Sequence, residues 1–314
     1  MEKRIIHGET LKDQLTASKR DRMLHFVLLG GKVRGAILHA TKLVNEMRTN
    51  HEIGVLETLV LGHVYMGSLL MSSSLKGADR IGIHIDRDGP ILGLDVEANS
   101  FGEVRGYLLN KPIPISEPPE SFDLKPFFGA GRMTVTRFLE KSAKPYSSQV
   151  ELKYGNVAQD LAYFSTVSEQ IPSAFDLSIQ FDRQGATAGA GGLLVQALPG
   201  ADEDDLARLE EIISWLPSIG EAFAEGRSAE AYLMSEFADY QPQILEHRRI
   251  AFMCHCSRKK YGGFLRQLPV EDLKELAENS DEPTVLTCKK CNTSYEYTEN
   301  EMRAIYLDAT KGLA

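Results

Sequence analysis

Ile81-Gly82-Ile83-His84-Ile85-Asp86-Arg87-Asp88-Gly89-Pro90-Ile91-Leu92-Gly93-Leu94-Asp95-Val96 carries a clear period of two. Ile81, Ile83 and Ile85 alternate with other residues, Asp88-Gly89-Pro90 supplies a turn, and Leu92, Leu94 and Val96 alternate again. Such alternation puts the apolar side chains on one face of a strand. Asn99-Ser100-Phe101-Gly102 turns the chain once more before Val104–Leu108 runs back, so the stretch reads as an antiparallel meander.

On its N-terminal side, residues from about Leu11 to Ser74 read mainly as helix. Leu56 to Met71 is apolar nearly all round, as a buried helix is, and its Gly and Ser positions permit close packing. On its C-terminal side comes a proline-rich loop from Pro112 to Pro126. Strands are expected at Met133–Arg137 and Gln149–Tyr154, and a helix at Val157–Ser168. Two more strands, Phe175–Phe181 and Leu193–Leu198, are separated by Gly185–Gly192. The glycine-rich Gly189-Ala190-Gly191-Gly192 lacks both the dinucleotide and the phosphate-loop spacing and leads into a strand, so a tight turn or bulge is expected there. The class is α+β, with residues 1–200 forming a core domain of antiparallel sheet and packed helices.

Pro199-Gly200 ends that domain. Beyond it, Asp202 can cap a helix whose first turn holds three more acids. Leu206, Leu209, Ile213 and Leu216 then form an apolar seam that Pro217 terminates, and a poorer helix spans about Ser228 to Tyr240. Between Ala201 and Glu246 there are twelve acidic residues against Arg208 and Arg227, so this stretch carries −10 in a chain whose total is −9. Helices so self-repelling persist only when their apolar faces dock on something. Residues 201–248 therefore read as a conditional helical linker.

The third region, 249–314, holds every cysteine of the chain: Cys254-His255-Cys256, then 31 residues, then Cys288-Lys289-Lys290-Cys291. Four thiolates suit tetrahedral zinc, and a region this small needs a metal to fold. One closed zinc site per chain is expected. His255 is expected to point away, because four cysteines already saturate the ion. A saturated site leaves no position for water, which argues against hydrolytic catalysis and for a non-enzymatic protein. A structural knob is the plain reading of such a site. Three features favour a switch: each cysteine pair is close enough in sequence to close as a disulfide, Cys254–Cys256 would be strained and so easily reduced, and Arg258, Lys259, Lys260, Lys289 and Lys290 favour reactive thiolates. A helix from Pro269 to Leu276, a strand through Tyr295 and Tyr297, and a Thr298–Glu301 capping box opening a last helix complete the region.

Composition is that of an ordinary globular protein, 43% apolar and 25% charged. The N-terminus lacks the apolar core of a signal peptide, and no stretch approaches the ~18–20 apolar residues that span a bilayer, so a soluble cytoplasmic protein away from membranes is expected. Net negative charge argues against nucleic acid as the main partner, although the basic cluster leaves a zinc-binding adaptor or nucleic-acid-binding protein as the alternative. No His-x-Glu element accompanies the cysteines, which excludes a deaminase site, and His25, His39, His63 and His84 have no ligand spacing.

The sequence resembles the heat shock protein 33 family of redox-regulated holdase chaperones. The resemblance rests on Asp88-Gly89-Pro90, on Asn99 with Val104-Arg105-Gly106, and on Asp160-Leu161-Ala162-Tyr163-Phe164. It extends to Ser168-Glu169-Gln170-Ile171-Pro172-Ser173-Ala174, to Ala190–Gln196, to Leu198-Pro199-Gly200-Ala201 and to the cysteine spacing. It implies zinc on Cys254, Cys256, Cys288 and Cys291 in a reduced, inactive protein. It further implies that oxidation pairs Cys254 with Cys256 and Cys288 with Cys291, expels zinc and unfolds the C-terminal domain and linker. The active form would be a homodimer that binds unfolding client proteins without ATP. His255 inside Cys-x-Cys and the charge excess of 201–246 depart from the familiar pattern.

Overall fold

The 81–108 meander is present as read, in a computed structural model that describes residues 1–4, 21–115, 123–278 and 282–310. The chain divides into two compact units, Arg4–Phe252, and Met253–Ala314 together with Met1–Lys3.

In the larger unit the described chain begins with β1 (Arg22–Leu28), β2 (Val33–His39), α1 (Thr41–His51) and α2 (Val55–Met71). The helical reading of Leu11–Ser74 therefore fails over its middle, while its first part, up to residue 20, lies outside the described residues. In β2 Ala36, Ile37, Leu38 and His39 are all buried, so that strand shows no alternation, whereas in β1 Leu24, Phe26 and Leu28 do alternate with half-buried His25 and Val27, a period of two inside the stretch read as helix. Next come β3 (Arg80–Arg87), β4 (Gly93–Asn99), β5 (Glu103–Leu108), a single turn α3 (Lys125–Phe128), β6 (Gly131–Phe138), β7 (Tyr146–Glu151) and α4 (Val157–Ser168). The strand expected at Gln149–Tyr154 thus begins and ends three residues earlier. Asn156 caps α4 by accepting from the Gln159 amide at 3.1 Å.

Then β8 (Ser173–Phe181) and β9 (Thr187–Ala197) form a long hairpin. The glycine run is part of β9, not a separate turn, and the expected bulge sits at its start, where Gln180 pairs with Gly189 but Phe181 pairs with Thr187. Three helices follow, α5 (Glu203–Trp215), α6 (Ile219–Ala224) and α7 (Ala229–Glu236), then β10 (Gln243–Arg249) and the short β11 (Ala251–Phe252).

Two sheets result. One has the order β10-β1-β2-β9-β8 and is antiparallel throughout; the other, β11-β5-β4-β3-β6-β7, is antiparallel except where β11 joins β5. Helix α2 packs against both sheets. A Cβ on its Gly62 would stand 2.7 Å from Ile179 Cδ1, so a larger residue there would have to displace that side chain. The helix with its following turn, Val55–Ser74, is by length and composition apolar enough to cross a membrane, contrary to the expectation from sequence. Its most apolar window is 83% buried within the protein, so it serves as the core helix.

Helices α5–α7 cover the face of the five-stranded sheet that carries Leu24, Phe26, Leu28, Val33 and Ile37. Leu209, Ile219, Phe223, Tyr232, Leu233 and Phe237 are buried against it, with Ile213 and Leu216 partly so. The side chain of Leu206, the first member of the expected seam, lies outside the described residues. Six large buried side chains are worth on the order of 10 kcal/mol before ordering costs. Like-charge crowding along a helix costs only ~0.2–0.5 kcal/mol per neighbouring pair. Docking therefore wins while the sheet face is available. At the segment's start Asp202 and Asp205 form a capping box, and Lys32 Nζ reaches Asp205 at 2.7 Å. That bond raises the Lys32 pKa, and the Asp205 amide lowers that of Asp202.

The smaller unit contains α8 (Arg258–Leu265), α9 (Val270–Glu278), the hairpin β12 (Thr284–Thr287) and β13 (Ser294–Tyr297), and α10 (Glu299–Thr310). Its core is Leu265, Leu273, Ala277, Tyr295, Tyr297, Met302 and Ile305. The capping box opens α10 as expected: the Thr298 amide donates to Glu301 Oε2 at 2.9 Å and the Glu301 amide to Thr298 Oγ1 at 3.4 Å. Arg258 joins it through both Glu301 oxygens, at 2.8 and 2.7 Å.

Candidate metal centre

The loop between β12 and β13 builds one half of the site. The Cys288 amide donates to Thr293 O at 2.9 Å, closing the hairpin. Within the turn the Asn292 amide donates to Cys288 O at 2.7 Å and the Cys291 amide to the same oxygen at 3.3 Å. Asn292 takes a left-handed conformation, φ 55°, which asparagine tolerates better than most residues. This knuckle turns two thiols to one side. The segment leading into α8 supplies the others, Cys254 and Cys256, and Ser257 caps α8 by accepting from the Lys260 amide at 3.3 Å.

The four sulfurs lie within 4.8 Å of one another. Cys254 and Cys288 are 3.8 Å apart and Cys256 and Cys291 3.3 Å apart, so close contacts join one motif to the other. Thiolates at ~2.3 Å around tetrahedral zinc stand ~3.8 Å from each other. The donor set and its spacing therefore fit that ion. All four cysteines are free thiols, three of them buried and Cys256 part-buried. Without a cation they compete for charge. Hydrogen bonds from Cys254 and then Cys291 hold the Cys288 thiol far below the usual range; the bond to Cys288 pushes Cys254 upward, and bonds with Cys254 and then Cys288 push Cys291 upward. A thiolate at Cys288 held between two reluctant thiols, Cys254 and Cys291, is an arrangement a divalent cation would relieve.

Two hydroxyls contact the sulfurs directly, and the Met1 ammonium donates to Cys256 O at 2.9 Å. Tyr295 Oη donates to Cys256 Sγ at 3.0 Å, and Cys291 Sγ lies 3.3 Å from Thr293 Oγ1. The Tyr295 ring stacks on Tyr261, centroids 5.2 Å apart, and burial raises the pKa of both phenols. Met1 Sδ accepts from the Cys254 amide at 3.1 Å, and the Glu2 amide donates to Thr293 Oγ1 at 3.3 Å. The basic residues expected to activate the thiols are partly engaged elsewhere: Arg258 binds Glu301, and Lys260 Nζ donates to His255 O at 2.7 Å. His255 is exposed and is not among the clustered ligand groups. Nothing in the sequence signals the roles of Tyr295, Tyr261, Thr293 or Met1. Tyr295 reads there only as a strand residue.

The family model described as Hsp33 protein matches residues 21–298. The 33 kDa chaperonin of Levilactobacillus brevis is 31% identical, over 92% of this chain and 98% of its own. That of Syntrophotalea carbinolica is 33% identical, over 91% of this chain and 99% of its own. Among solved structures, the crystal structure of the 33 kDa chaperonin (heat shock protein 33 homolog) of Thermotoga maritima superposes with a TM-score of 0.84 at 29% identity, covering 93% of this chain and 99% of that one. With a match to the model over most of its length, the chain belongs to the Hsp33 family.

Proposed function

We propose that the chain is a cytoplasmic, ATP-independent holdase, inactive while reduced and zinc-bound and activated by oxidation. The observation that carries this reading is the four-thiol cluster within 4.8 Å, in a unit whose own apolar core, among the described residues, has seven buried members. Bound to Cys254, Cys256, Cys288 and Cys291, zinc supplies the cross-link that so small a core lacks. It acts there as a fold-stabilising ion, and no enzymatic step is assigned to it.

Peroxide removes the ligands in pairs. Cys254 with Cys256, and Cys288 with Cys291, each give up two electrons and two protons to one peroxide, forming one S–S bond and two waters. In the folded tetrad each motif's sulfurs also meet the other motif's, so closing a disulfide within one motif withdraws its sulfurs from the shared site. Residues 253–314 then unfold, and the conditional segment 201–248 leaves the sheet. Leu24, Phe26, Leu28, Val33 and Ile37 become an apolar face for unfolding client proteins, and the active form dimerises.

Peroxide with mild heat should release about one zinc per chain and yield protein that suppresses light scattering by an unfolding client. Zinc loss without suppression would falsify the reading. The fold-stabilising alternative, an adaptor with an inert four-cysteine knob, predicts that outcome.

A further inference from the structure

The signature Ser168-Glu169-Gln170-Ile171-Pro172-Ser173 takes no part in the cysteine switch. In the structure it borders a cleft of about 360 Å³ in the larger unit, whose other walls come from both sheets and α4. Arg34 of β2 and Gln196 of β9 are register partners, as are Gln196 and Ser173 of β8. They form a row of hydrogen bonds across three strands. Arg34 Nε donates to Gln196 Oε1 at 3.0 Å, and Gln196 Nε2 donates to Ser173 Oγ at 2.9 Å. Both ends of the buried Gln196 amide are committed, which fixes the guanidinium. Among the described residues, the terminal nitrogens of Arg34 have no hydrogen-bond partner.

From the other sheet, Arg137 of β6 enters the same cleft and pairs with Glu169. Two guanidiniums face one carboxylate, leaving an excess of one positive charge. Ser165 of α4 also lines the cleft. It is 1% exposed, and its hydroxyl has no partner. A buried hydroxyl left unbonded costs ~1–3 kcal/mol, so this one is a donor awaiting an acceptor. The helix end beside it is closed against the cleft: Gln170 adopts φ 56° and the Ile171 amide donates to Ser165 O at 3.1 Å.

We propose that this cleft is a binding site for a phosphoryl group, held by the terminal nitrogens of Arg34, by Arg137 and by the Ser165 hydroxyl. Donors from three elements surround a tetrahedral oxyanion, whereas a planar carboxylate is saturated by guanidinium forks alone. Glu169 occupies Arg137 in the empty cleft and competes with the ligand, which sets the affinity.

The test is calorimetric titration of the reduced, zinc-loaded full chain with inorganic phosphate and pyrophosphate, with acetate as the planar comparator. Saturable binding of one phosphate or pyrophosphate per chain is expected, about tenfold or more tighter than acetate. Arg34→Gln and Arg137→Gln should each weaken it about tenfold, and Ser165→Ala several-fold. Glu169→Gln should strengthen it, a gain that a purely structural ion pair does not produce. Should either arginine variant fail to fold, Ser165→Ala and Glu169→Gln carry the test. Absence of saturable phosphate and pyrophosphate binding in the millimolar range, acetate binding as tightly, or no gain in Glu169→Gln overturns the proposal. The readout is binding to the reduced protein, so it stands or falls independently of the redox switch.

Discussion

At the scale of single residues, the convergence of the four cysteines was legible because thiol metal sites have local spacing, Cys-x-Cys and Cys-x-x-Cys, that survives in one dimension. Their surroundings were not, because Tyr295 meets Cys256 from 39 positions away, through the β12–β13 hairpin. That contact has a direct consequence. A phenol donating to a ligating sulfur withdraws electron density from it, dampens its nucleophilicity and holds its orientation. Tyr295→Phe keeps the ring against Tyr261 and removes only the donor. Loss of such an outer-shell partner typically costs 10–100-fold in metal affinity. The variant should therefore lose zinc to a chelator at lower concentration, and to peroxide faster, than the parent. A colorimetric zinc-release time course compares the two. Equal rates would mean that the Tyr295 hydroxyl does not tune the site.

At the scale of elements, the reading succeeded where a pattern was self-contained and failed where tertiary cover erased it. The seam of α5 was visible because Asp202, the acidic first turn and Pro217 bracket it. The strand β2 was hidden because Ala36 to His39 are buried on both faces, and β1 was missed although Leu24, Phe26 and Leu28 alternate. Glycines in β9 misled for a different reason: glycine reads as a break, yet here it allows a helix to approach. A Cβ at Gly189 would overlap Gly220 O and stand 2.5 Å from the Ala224 amide nitrogen, and a Cβ at Gly191 would stand 3.1 Å from Ile219 Cγ1. The contacts at Gly189 are with backbone and those at Gly191 with side chains, and here α6 seats on the sheet, with the Phe223 ring centroid 4.3 Å from that of His39. Gly189→Ala cannot be accommodated by side-chain motion, so α6 must lift, at a cost of ~1–3 kcal/mol. If undocking of 201–248 is what exposes the working face, this variant should suppress client aggregation in reductant with zinc still bound. Asp202→Ala, which removes a cap worth ~1 kcal/mol, should act in the same direction but more weakly. Light scattering with a parallel zinc assay reads both effects. Reduced Gly189→Ala that stays inactive, with native zinc content, would uncouple the linker from the switch.

At the scale of the whole molecule, the two units differ in what holds them. Arg4–Phe252 has two sheets packed on a largely buried helix and draws on no cysteine. The unit containing Met253–Ala314 has a small core and four converging thiols. A domain of about 60 residues rarely draws more than ~3–5 kcal/mol from its own core, whereas a structural zinc contributes ~10–16 kcal/mol. A bound zinc would exceed everything else in that unit, so, on the proposed function, chelation under reducing conditions should unfold it without unfolding its neighbour. Native-state hydrogen exchange distinguishes the two. After chelation, amides of β12, β13 and α10 should exchange at the rate of unstructured chain. Those of β3, β4 and β5 should stay protected, because their hydrogen bonds depend on a core in which no cysteine takes part. Calorimetry should correspondingly show the chelated protein retaining one cooperative transition and losing the other. Retained protection in β12 and β13 would mean that the seven-residue core suffices, and the thiols would then have to be read as reactive groups on a stable scaffold rather than as the pin that keeps it folded.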